Sequence, residues 1–128
     1  MTEKLTYTDA IWKSHAPYSN PFQGSDKRVL FVCSAGILRS ATAARLYAKK
    51  YNTRCAGSFA FALIPVSPEL LLWAQEVVFV NKENYDMVHA HYDLDNYPCK
   101  VKVLNIPDDH EHMAPELIKQ FEEQYEPV

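Results

Sequence analysis

Four apolar residues in succession, Val29-Leu30-Phe31-Val32, lead directly into Cys33-Ser34-Ala35-Gly36-Ile37-Leu38-Arg39-Ser40. A strand that is apolar at every position has no face to offer water. It reads as a buried strand of a parallel sheet, with helices on both faces. Arg39-Ser40-Ala41-Thr42-Ala43-Ala44-Arg45-Leu46 reads as the start of a helix, so the intervening loop joins a strand end to a helix N-terminus. Backbone N–H groups at such a junction point into the loop, and with the helix dipole they favour phosphate or a similar oxyanion. Cys33 opens this loop and Arg39 closes it, with five residues between them. A cysteine at the end of an apolar strand is commonly just a small buried hydrophobe. Here the spacing to Arg39, the following Ser40 and the strand-to-helix context favour a nucleophile, because helix N-termini and nearby cations favour thiolate over thiol. The planar fork of Arg39 suits two oxygens of a tetrahedral anion. Ser34, Ala35, Gly36, Ile37, Leu38 and Arg39 form the expected anion loop, and the chemistry expected of it is attack on phosphorus.

The rest of the chain repeats the alternation of strand and helix. Residues 1–26 contain Pro17, Pro21, Asn20, Ser19, Gly24 and Ser25 without a sustained period, and read as an arm preceding an α/β domain at 27–128. Tyr7, Ile11, Trp12, Tyr18 and Phe22 are too many large apolar groups for a free tail, so part of the arm is expected to dock on the domain or a partner. Strands are expected at 28–32, 53–56, 77–80 and 101–106. Helices are expected at 39–51, with Ala43, Leu46, Tyr47 and the stem of Lys50 inward, and at 68–74, 81–89 and from Pro115. Ser67-Pro68-Glu69 has the N-cap, proline and acid of a helix start, and Asn81 is a second N-cap. Leu117, Ile118, Phe121 and Tyr125 mark the buried stripe of the last helix. Between 58 and 65, Phe59, Phe61, Leu63 and Ile64 are apolar groups to bury. Four strands alternating with helices predict an α/β three-layer sandwich around a parallel sheet with right-handed crossovers.

Length and charge restrict the partners. A chain of 128 residues suits one domain with a real core. The net charge of −3, without a basic run, argues against nucleic acid. No stretch approaches 18 apolar residues and Met1-Thr2-Glu3-Lys4 has no signal-peptide pattern, so the expectation is a cytoplasmic protein without a membrane partner. Cys33, Cys55 and Cys99 are too few and too scattered for a disulfide framework, which fits a reducing compartment.

Ligands of such sheets sit beyond the carboxyl ends of the strands, where strand order reverses. The Cys33 loop and Asp108 both follow expected strand ends, and so can share one rim. In-line attack by Cys33 on a phosphomonoester would make a thiophosphate, held by the loop amides and Arg39. Asp108, with Asp109 as alternate, is the candidate acid for the leaving group and then the base for the hydrolytic water. Ser40 can donate to the sulfur and help it leave.

Val-Leu-Phe-Val-Cys-Ser-Ala-Gly-Ile-Leu-Arg-Ser at 29–40 resembles the signature of the low-molecular-weight protein tyrosine phosphatases, Val-Leu-Phe-Val-Cys-x-Gly-Asn-x-Cys-Arg-Ser-Pro. Arg54-Cys55-Ala56-Gly57-Ser58 resembles that family's Ser-Ala-Gly-Thr, Val77-Val78-Phe79-Val80 its third strand, and Ile106-Pro107-Asp108 the approach to its Asp-Pro acid. The resemblance covers about 27–125 and is nearest to short members that have Ile-Pro-Asp-Asp followed by Met-x-Pro-Glu-Leu, as at 113–117. It implies a four-stranded parallel sheet in order 2-1-3-4, Cys33 as nucleophile, Arg39 as phosphate clamp, Ser40 as sulfur donor, Asp108 as general acid, and no metal or cofactor. The departures are Ala35 for glycine, Gly36 for the left-handed asparagine, Leu38 for a second cysteine and Ala41 for proline. Glycine also accepts the left-handed backbone. Asp109, His110, Glu111 and His112 replace the aromatic residues that follow the acid.

The partner expected from these readings is a phosphorylated protein or small phosphomonoester. Two other functions use the same loop: a non-catalytic module binding a phosphorylated ligand, and an arsenate reductase, which needs a relay of further cysteines. The pairs His89/His91 and His110/His112 have a weak metal-ligand spacing and read as solvated loop histidines.

Overall fold

The run at 29–32 becomes the centre of the sheet. A computed structural model describes residues 27–34, 38–107 and 113–128. The arm at 1–26, and with it the expectation that it docks, lies outside the described residues. Four strands, β1 (Arg28–Cys33), β2 (Asn52–Gly57), β3 (Glu76–Phe79) and β4 (Lys100–Val103), form one sheet in the order β2-β1-β3-β4. All three pairings are parallel, with Phe31 opposite Cys55 on one side and Val78 on the other. The helices are α1 (Arg39–Leu46), α2 (Pro68–Trp73), α3 (Lys82–His91) and α4 (Pro115–Gln124), with a 3-10 turn at Leu94–Asn96.

Successive side chains of a strand point to opposite faces, and each face of this sheet has its own apolar cluster. Val29, Phe31 and Cys33 join Cys55, Val78 and Val80 beneath Ala43, Ala44, Leu117 and Phe121 of α1 and α4. Leu30 and Val32 join Ala56, Val77 and Phe79 beneath Leu70, Leu71, Trp73 and Val88 of α2 and α3. The result is a helical layer on each side of a parallel sheet. Ser67 caps α2 by accepting from the Leu70 N–H at 3.3 Å, and Asn81 caps α3 by accepting from the Glu83 N–H at 3.1 Å.

Several local expectations need correction. Helix α1 ends at Leu46, well before 51, because the chain has to turn back for the Asn52 N–H to reach the Lys27 carbonyl at 2.9 Å and start β2. Lys50 consequently lies exposed instead of packing its stem inward. Helix α3 runs two residues past the expected end at 89, and the 3-10 turn occupies part of the expected loop. Strand β4 stops at Val103, although Leu104 and Ile106 still donate to the Phe79 and Val80 carbonyls at 2.8 and 2.9 Å and keep the ladder going. In the loop after β2, Phe61 (86% exposed) and Leu63 (59%) are not buried. Phe61 instead stacks on Phe59, with ring centroids 5.4 Å apart.

Phe31 holds the α1/α4 face together. Its ring stacks on Tyr47 at 5.8 Å and meets Tyr125 and Phe121 edge-on at 5.6 and 6.4 Å. Tyr47 Oη donates to the Glu126 carbonyl at 2.7 Å, and Tyr125 Oη to Glu76 at 2.6 Å, so the C-terminal segment is tied to both α1 and β3. Phe31→Ala is expected to destabilise the domain by about 3–5 kcal/mol, the usual range for an aromatic removed from a core, as measured by urea unfolding.

Candidate anion site

Strand β1 lies between β2 and β3, so the chain leaves it first in one direction and later in the other. The order reverses there, and in parallel sheets such a switch point is where a ligand crevice is expected, beyond the carboxyl ends of β1 and β3. The exit from β1 is fixed by β2, where the Ser58 N–H donates to the Cys33 carbonyl at 2.8 Å and the Phe59 N–H to the Ser34 carbonyl at 3.1 Å. These bonds set where the loop begins.

Four of the expected site residues come together at this point. Cys33 Sγ and Ser40 Oγ lie 3.0 Å apart, both buried. Arg39 is only 3% exposed. It donates through Nη1 to the Ile106 carbonyl at 2.9 Å and through Nη2 to Ser34 Oγ at 3.2 Å. A buried cation needs such partners, because losing water is expensive for an ion. Leu38 takes the N-cap position of α1, with its side chain 39% exposed. Ala35, Gly36 and Ile37 lie outside the described residues, as do Asp108 and Asp109.

The start of α1 differs from the starts of α2, α3 and α4. Those helices carry Glu69, Glu83 and Glu116 in their first turns, whereas α1 has no acid there. Among the described helices it is the one whose positive end meets no carboxylate of its own, and it is also the one that follows Cys33. Two residues that flank the undescribed positions 108–112 bond to α1. Ile106 accepts from Arg39, and the Met113 N–H donates to Thr42 Oγ1 on α1 at 2.8 Å.

Asn84 belongs to the site and had no place in the sequence argument. It reaches in from α3, fully buried, with Nδ2 3.2 Å from Ser34 Oγ and 3.1 Å from Ser58 Oγ. The available signal was its position four residues before Val88, which places a polar side chain within the inward stripe of α3. The Ile106 carbonyl was also missed, since a backbone acceptor leaves no trace in residue identity.

Other features fall away from this centre. A cavity of about 650 Å3 lies between the loop after β2 and α3, lined by Phe59, Phe61, Met87, His91 and Tyr92 among others, without Cys33 or Arg39. His89 and His91 are in the last turn of α3, where a cation would suit the helix dipole, and His89 stacks on Tyr85 at 5.4 Å. His110 and His112 lie outside the described residues. Among the described residues no three metal-ligating side chains gather, and no helix is long and apolar enough to cross a membrane. No family model, curated protein or solved structure matches this chain.

Cys55 and Cys99 are buried in the clusters on opposite faces of the sheet. Burial pushes the Cys55 thiol up to about 12, the nearby Cys33 adding to the shift, and burial raises Cys99 as well. Burial disfavours the reactive thiolate at both, so iodoacetamide is expected to label Cys55 and Cys99 far more slowly in the folded protein than after unfolding, as read by peptide mass spectrometry. Thr42→Val, which removes the acceptor of the Met113 N–H, is expected to lower stability by roughly 1 kcal/mol in denaturant titrations.

Proposed function

We propose that residues 33–40 bind a tetrahedral oxyanion and that the protein is a cysteine-dependent phosphomonoester hydrolase of the low-molecular-weight protein tyrosine phosphatase type. The observation that carries this reading is the meeting of Cys33 Sγ, Ser40 Oγ and the Arg39 guanidinium at the carboxyl end of the central strand. The sheet order agrees with the one that the resemblance implies.

In this reading the Cys33 thiolate attacks phosphorus in line, the S–P bond forms as the bond to the ester oxygen breaks, and Asp108 or Asp109 protonates the departing oxygen. The loop amides and Arg39 stabilise charge on the equatorial oxygens. The same carboxylate then takes a proton from water, which attacks the thiophosphate and releases phosphate. Ser40 donates to the sulfur as it leaves, in keeping with its 3.0 Å approach. The hydrolase is favoured over an arsenate reductase because Cys55 and Cys99, the two further cysteines, are buried on opposite faces of the sheet and do not pair with each other as a relay.

The wild type is expected to hydrolyse p-nitrophenyl phosphate with inhibition by vanadate. Cys33→Ser should abolish turnover while keeping phosphate binding, and Asp108→Asn should reduce kcat by about 10²–10⁴-fold, the usual worth of a general acid. Phosphate binding with no turnover of any aryl phosphate would leave the chain a binding module.

A further inference from the structure

The two edges of the sheet are unlike. Strand β4 is exposed at every residue, whereas β2, the other edge, is buried at all six. Helices account for its faces: Cys55 packs beneath α1 and α4, and Ala56 beneath α2. They do not account for its rim. The N–H groups of Asn52 and Ser58 donate to Lys27 and Cys33 on the β1 side, while the Gly57 N–H donates away from β1, to Ile64. Strand alternation therefore turns the N–H and C=O of Thr53 and Cys55 outward, along the open edge. Among the described residues, backbone bonds meet that edge only at Gly57, through Ile64 and Val66.

Arg54 marks the place where cover is needed most. Its Nη1 donates to the outward Thr53 carbonyl at 3.0 Å, which brings the guanidinium round to the rim, 5.0 Å from the ring of Trp73. Burial pulls its pKa down to about 10, so it is still charged at neutral pH, yet the residue is only 1% exposed. A charge taken out of water needs acceptors and cover around it, and a bare edge would leave it in water.

Residues 1–26 enter the domain at this edge. They lead into Lys27, whose carbonyl accepts from the N–H of Asn52, the first residue of β2. Fully extended, a segment of that length spans up to roughly 85 Å, several times the ~20 Å of the strand. It carries Tyr7, Ile11, Trp12, Tyr18 and Phe22 for apolar cover, and Glu3, Asp9 and Asp26 as acceptors for a guanidinium. We infer that residues 1–26 of the same chain dock along the outer edge of β2 and cover the Arg54 guanidinium. A covered β2 in turn steadies the exit of β1, because Ser58 and Phe59, which follow β2, hold the Cys33 and Ser34 carbonyls.

Nuclear Overhauser spectroscopy of the isotope-labelled full chain tests this. The amide protons of Thr53 and Cys55 are expected to show cross-peaks to side-chain protons of residues 1–26, and to exchange with solvent at least about tenfold more slowly than in the unfolded chain. Absence of any cross-peak to residues 1–26 would overturn the inference. A mixture of labelled and unlabelled chains separates the occupants: cross-peaks that arise only between chains mean that a second copy covers the edge, and also overturn it. In a full-length variant with Tyr7, Ile11, Trp12, Tyr18 and Phe22 all replaced by Ser, exchange at Thr53 and Cys55 should rise at least about tenfold while Val78 in β3 keeps its rate. Unchanged exchange at Thr53 and Cys55 in that variant counts against the docking and overturns it as well. If the variant fails to fold, or opens as a whole so that Val78 accelerates equally, the wild-type cross-peaks decide.

Discussion

Val29, Leu30, Phe31 and Val32 are each 0% exposed, so β1 has to be paired along both edges and covered on both faces before it is stable. That single requirement places β2 and β3 on either side of it, two helices above and two below, and leaves β4 at the margin. Strand β4 meets the usual problem of an edge by alternating Lys100 and Lys102 with Val101 and Val103. Lys102 also lies 5.0 Å from the ring of Tyr125, which ties that edge to the end of α4. The carboxyl end of β1 cannot be covered in the same way, because β1 sends its chain to the face of α1 while β3 beside it sends its chain to the face of α3. The switch point is a product of the topology, and Cys33 is the residue that the chain presents there.

The guanidinium of Arg39 joins this architecture to the proposed chemistry. It is buried between the residue after β1 and the extension of β4, and it bonds to both. A lysine in its place would bring a point charge without the planar fork, and could not hold two acceptors in fixed directions in the same way. The side chain that would clamp an anion therefore already braces the two segments that border the switch point, which makes its orientation a property of the fold.

What residue identity alone revealed, and what it did not, divides along physical lines. Runs of apolar residues, Ser67-Pro68-Glu69 and Asn81 are local signals, each acting through its nearest neighbours, and they located the strands and helix starts closely. The association of Cys33, Ser40 and Arg39 was legible because all three belong to one loop. Asn84 and Ser58 were not, because they are separated in sequence from Ser34 and meet it only after α3 and the end of β2 have packed. The exposure of Phe61 and Leu63 was misjudged since hydrophobicity predicts a preference for burial without saying whether the fold has room. The early end of α1 was likewise imposed from outside the helix, by the pairing of Asn52 with Lys27.

The contact between Arg39 and Ile106 spans most of the domain in sequence, from the second half of the first loop to the last strand. A nascent chain that has formed β1, α1 and β2 already contains the sulfur, the hydroxyl beside it and the arginine, yet lacks the Ile106 carbonyl that accepts from the guanidinium. Only when the last strand docks is that acceptor delivered. The bond from Arg39 to Ile106 therefore forms only once the last strand has docked, and it reports on the completion of the whole domain.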